Sequence, residues 1–113
     1  MVYENLPIYK ATYDLLLFIF KLNRNFQKEY RYTLGENIKN ELVSLLLCIY
    51  NANALREKDA LLKQAAQHVV AIKIQFRLLA DLKQISLKQY ANAALQIESI
   101  SKQLSAWSKS VKN

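Results

Sequence analysis

The chain holds one imidazole, His68, and one thiol, Cys48. A nucleophilic triad needs a histidine between an acid and a nucleophile. Any such site would have to centre on His68, which lies in Gln67-His68-Val69 beside an apolar seam. A zinc cage draws several ligands from Cys and His, and one of each cannot supply it. The carboxylates Asp14, Glu41, Asp81 and Glu98 are scattered. Helical di-metal sites add a Glu-x-x-His motif from two helices, and this chain has none. With Gly35 as its one glycine, it also lacks a Gly-rich phosphate cradle. Cys48 sits in the run Leu45-Leu46-Leu47-Cys48-Ile49-Tyr50 and reads as an inert buried thiol. It has no partner for an internal disulfide, as suits a reducing compartment. These residues predict no catalytic site, no metal, no cofactor and no small-molecule substrate.

Charge carries more information. Sixteen Lys and Arg against nine Asp and Glu give a net charge of +7, and the pI is near 9.6. Such a surplus favours a polyanionic partner and says nothing of the fold. It is unevenly spread: residues 33–55 carry one basic and two acidic groups, residues 56–113 ten and four. Lys88, Lys102 and Lys109 share one heptad position, a line roughly 31 Å long at ~1.5 Å per residue, interrupted by Leu95. Lys63 and Arg77 share another, and Lys73 lies one turn from Arg77. The plain alternative is a solvated helix face, since no known DNA- or RNA-reading motif accompanies these residues.

The elements that must position these groups are helices. The chain has 113 residues, 52% apolar and 22% charged, with one Gly and one Pro. That is a folded domain with too few turn residues for a sandwich or barrel. The spacing predicts a first helix from Pro7 to about Phe26, with Ile8, Thr12, Leu15, Ile19, Leu22 and Phe26 on one side. A loop over Gln27–Tyr32 follows. Thr33-Leu34-Gly35-Glu36 reads as a capping box opening a second helix, whose seam is Ile38, Leu42, Leu45, Ile49 and Ala52. The break at Asn51–Ala54 is weakly marked, and Arg56-Glu57-Lys58-Asp59 places solvent there. A third helix presents Leu62, Ala65, Val69, Ile72, Phe76 and Leu79. Ser86 with Gln89 caps a fourth, with Tyr90, Ala93, Ile97, Ile100, Leu104, Trp107 and Val111. Short links favour antiparallel neighbours, so the prediction is a single all-α domain over 1–113, an up-down four-helix bundle. The longest apolar runs, Leu15–Phe20 and Leu45–Tyr50, are six residues each, too short for a membrane span. The N-terminus reads as no secretion signal, so a cytoplasmic protein is expected.

Two of these helices carry more apolar surface than one seam needs. Tyr9, Tyr13, Leu16 and Phe20 form a second stripe on the first helix; Val43, Leu46 and Tyr50 do so on the second. On a lone bundle they would form a larger apolar patch than monomers usually expose. A thick core is one reading. Self-association through these seven residues is the sharper one, without a subunit number.

Certain segments resemble a known family. Tyr13-Asp14-Leu15-Leu16-Leu17, Tyr32-Thr33-Leu34-Gly35-Glu36-Asn37-Ile38, Ile72-Lys73 with Arg77-Leu78 and Asp81-Leu82, and Leu104 with Trp107 occur in order. The sequence, roughly Ile8 to Lys109, resembles the accessory variability determinant of diversity-generating retroelements. That family sits in a wider group of small four-helix bundles, including proteins encoded by intervening sequences of bacterial 23S ribosomal RNA genes. The resemblance implies a non-catalytic adaptor forming a pentameric barrel with a basic surface. It would bind the retroelement's reverse transcriptase together with RNA and DNA. Lys73 and Arg77 fall where the family has basic residues on helix three, and Lys73 replaces a frequent arginine. With the charge pattern, this makes Lys63, Lys73, Arg77, Lys88, Lys102 and Lys109 the candidate polymerase or nucleic-acid surface. Gly35 and Trp107 are expected to be structural. Two rival expectations remain: a self-assembling scaffold of the ribosomal-RNA-insert group with no retroelement role, and a small enzyme using a cavity of the bundle.

Overall fold

A computed structural model describes residues 2–112, the last by its backbone alone. A short 3-10 turn (Tyr3–Asn5) precedes α1 (Pro7–Asn23); a one-turn α2 (Lys28–Arg31) leads into α3 (Leu34–Ala54), α4 (Asp59–Asp81) and α5 (Leu87–Lys112). No strand occurs among the described residues. α1 packs on α3 and α5, and α4 packs on the same two. Helices consecutive in the chain thus lie side by side across short connections, which makes a four-helix bundle about 45 Å long.

The seams fall where the spacing places them. Every predicted seam residue of α3 and α4 is buried, as are Ile8, Thr12, Leu15, Ile19, Leu22 and Phe26. Thr12 is tolerated there because its hydroxyl donates to the Ile8 carbonyl at 2.8 Å, leaving no unsatisfied polar group. On α5, Ala93, Ile97, Ile100 and Leu104 are buried, and Tyr90 and Trp107 pack against that core. Val111 does not join them; it is exposed in the last turn of the longest helix.

Three predicted details change. The first helix stops at Asn23, where i→i+3 bonds from Asn25 to Leu22 and from Phe26 to Asn23 tighten the chain into a turn. Phe26 reaches the core from that turn. The predicted loop Gln27–Tyr32 contains α2. That extra helical turn also defeats the Thr33–Glu36 capping box. The Thr33 hydroxyl donates backward to the Glu29 carbonyl at 2.6 Å, one of the free acceptors at the end of α2. Glu36 pairs with Lys39 instead. The second box forms as predicted: Gln89 N–H donates to Ser86 Oγ at 3.0 Å, and Ser86 N–H donates to Gln89 Oε1 at 2.9 Å.

Gly35 fills a structural role through close approach. A Cβ there would overlap the Asn23 side-chain oxygen, stand 3.0 Å from Asn23 Cγ and 3.2 Å from the Tyr30 carbonyl oxygen. At the other end of α3, Lys58 is less solvated than its charged neighbours suggest. Its ammonium donates to the Ala52 and Leu55 carbonyls, capping the helix C-terminus. It also lies 5.9 Å from the Trp107 ring centroid. α4 ends on Lys83 at φ 61°. Gln84 N–H then bonds the Leu79 carbonyl, and Lys83 N–H the Ala80 carbonyl, the crossed pattern of a left-handed helix end.

Candidate interaction surfaces

The six candidate basic residues do not form one uniform stripe. Lys63, Arg77 and Lys102 are exposed, and each bonds a carboxylate one turn away, Asp59, Asp81 and Glu98 respectively, at 3.2 Å. Exposed pairs of this kind contribute only about 0.3–0.5 kcal/mol each, so they open readily, but each pair is neutral overall. The Asp81 carboxylate, and after it the Tyr90 hydroxyl, hold the Arg77 guanidinium above its already high range. Lys73 and Lys109 belong to a groove between α4 and α5. Val69, Val70 and Ser101 stand at its middle, with Lys73, Tyr90, Ala94, Ile97 and Glu98 towards one end and Ala66, Leu104, Ser105, Ser108 and Lys109 towards the other. Lys88 stands exposed in the first turn of α5. The fold therefore sets Lys73 and Lys109 towards opposite ends of this groove, with Lys63 one turn before Ala66 on the Lys109 side.

The surplus apolar stripes on α1 and α3 are exposed on this bundle. Tyr13, Phe20, Val43 and Tyr50 are each between 44% and 50% accessible, while Tyr9, Leu16 and Leu46 are half-buried. Part of the stripe is covered from within. Tyr3 packs edge-on against Tyr9 and Tyr50, with centroids 5.0 and 4.7 Å apart, and the Lys39 ammonium lies 4.3 Å from the centroid of Phe20. A further stripe went unread in the sequence: Val70, Ile74 and Leu78 on α4 are all exposed, as are Leu87 and Leu95 on α5. Its signal was available, since 70, 74 and 78 are four apart beside the seam.

The residues with potential chemistry take structural positions. His68 Nδ1 and Glu41 Oε2 are 2.6 Å apart, both half-buried, joining α4 to α3. Glu41 was among the scattered carboxylates of the sequence, and only the packing shows its pairing across 27 positions. Cys48 is a buried free thiol, and burial pushes its pKa up, which disfavours the reactive thiolate. No described helix is long and apolar enough to cross a membrane.

No curated protein matches the sequence. Residues 6–111 match the family described as bAvd-like, a span that takes in all four long helices and both predicted surfaces. This chain is accordingly a member of the bAvd-like family, consistent with the accessory variability determinant group.

Proposed function

We propose that the protein is a non-catalytic accessory subunit of a diversity-generating retroelement. In this reading it assembles with copies of itself, as a pentamer in keeping with the family resemblance. It binds the reverse transcriptase and nucleic acid through its basic surface, and so supports mutagenic copying of a template RNA. The polymerase performs the chemistry; this chain supplies binding and position. The family match over residues 6–111 carries the reading. The net charge of +7 and the exposed apolar stripes on α1 and α3 support it, since an adaptor needs surfaces for a polyanion and for protein.

The test is a tagged pull-down from the native cell, with eluted proteins and nucleic acids identified. A reverse transcriptase accompanied by its template RNA is the expected result. Ribosomal RNA fragments alone, or only further copies of the chain, would overturn the retroelement role in favour of a self-assembling scaffold.

A further inference from the structure

Five basic residues without a carboxylate partner among the described residues gather at one end of the bundle. Two turns meet there: the Gln27 N–H donates to Gln84 Oε1 at 2.8 Å, so the α1–α3 and α4–α5 connections are neighbours. The first connection contributes Arg24, Lys28 and Arg31; the second contributes Lys83 and, at the start of α5, Lys88. Arg24, Lys28, Lys83 and Lys88 are exposed, and their side chains form no ion pair among the described residues. Arg31 is half-buried; one of its terminal nitrogens donates to the Phe26 carbonyl, and its Nε has no partner among the described residues. Of the carboxylates nearby, Asp81 is engaged by Arg77 and Glu36 by Lys39, leaving Glu29 to oppose five cations. Tyr32, which follows Arg31 in the first of these connections, is 64% exposed.

Cations alone would suit an acidic protein equally well. An exposed ring among them favours bases. Single strands bind where a positive surface follows the backbone and aromatic side chains stack on bases, whereas a duplex keeps its base faces covered. We propose that this end of the bundle contacts single-stranded nucleic acid: Tyr32 stacks on a base, and Arg24, Lys28, Lys83 and Lys88 hold the flanking phosphates. The inference rests on the nucleic-acid part of the proposed function and moves the contact from the helical stripes to the turns.

Fluorescence anisotropy with a labelled oligouridylate, alone and annealed to oligoadenylate, tests it across a salt series. The single strand should bind better than the duplex. Tyr32→Ala should weaken single-strand binding about fivefold or more, and Tyr32→Phe should preserve it. Replacing Arg24, Lys28, Lys83 and Lys88 together with Gln should reduce the steepness of the log–log salt dependence by about 3, at ~0.7 per phosphate contact, with helicity by circular dichroism unchanged. If those variants bind like the parent while Gln at Lys63, Lys73, Lys102 and Lys109 abolishes binding, the turn site is wrong and the nucleic-acid reading survives. Equal binding of duplex and single strand, indifferent to Tyr32, would also overturn the site. If the parent binds neither oligonucleotide, the site and the nucleic-acid part of the reading fall together, and polymerase capture is judged by the pull-down alone.

Discussion

Replacing Gly35 by Ala should destabilise the bundle, against the ordinary trend for a helical glycine. In a helix interior the exchange gains roughly 1 kcal/mol from propensity, and less in a first turn such as this. Here the new methyl would overlap the side-chain oxygen of Asn23, with the Tyr30 carbonyl oxygen 3.2 Å away. Asn23 is buried, with 7% of its surface accessible, so its amide has little room to retreat. Overpacking of this kind costs ~1–3 kcal/mol, which outweighs the gain and leaves a net loss of about 1–2 kcal/mol. The Asn23 oxygen has no hydrogen-bond partner among the described residues, so Asn23→Ala removes both the clash and an unsatisfied acceptor. Gly35→Ala should therefore be far milder in that background, where only the Tyr30 contact still opposes it, with a coupling of ~1–2 kcal/mol. Urea denaturation of the four proteins at one fixed concentration measures it; fixing the concentration matters because self-association shifts apparent stability. A stabilising Gly35→Ala in the parent, or an equal loss in both backgrounds, would refute the close-approach argument.

Other expectations follow from single contacts. Ser86→Ala removes half of the formed capping box and should cost about 1 kcal/mol, read by thermal denaturation, whereas Thr33→Ala removes no cap from α3. Lys83→Gly relieves a left-handed backbone position and should stabilise the fold by ~1 kcal/mol, visible as a raised urea midpoint. The buried Cys48 thiol should react slowly with iodoacetamide in the native protein and rapidly in denaturant. Its raised pKa makes the folded state hold its proton longer than the unfolded one. Its contribution to stability is thus complete below the ordinary thiol range, about 8.5, and declines as pH rises beyond it; Cys48→Ala should remove that alkaline slope.

The apolar spacing made the bundle legible because a seam repeats locally: Leu42, Leu45 and Ile49 need no knowledge of their partners to be placed inside. The two capping boxes show the limit. Ser86 and Thr33 head the same motif, yet only Ser86 closes it, since Thr33 finds a nearer acceptor in a helical turn that the sequence left as loop. The basic stripes were legible as positions and misleading as charge. Asp59, Asp81 and Glu98 stand four residues from the lysines and arginine they neutralise, a pattern present in the sequence. What no local pattern contains is which turn lies beside which. Gln27 and Gln84 are 57 positions apart, so the cluster of Arg24, Lys28, Lys83 and Lys88 becomes visible only once the chain has folded.

That bond between Gln27 and Gln84 also bears on how the molecule opens. α2 is four residues long, far too short to persist as an isolated helix in water. Its leading amide, on Gln27, is satisfied by a side chain from the opposite half of the chain. Melting of the α4–α5 turn therefore removes one support of the α1–α3 turn, although about half the sequence separates them. The bond couples the two turns, so hydrogen exchange at the Gln27 amide should quicken when the α4–α5 turn opens.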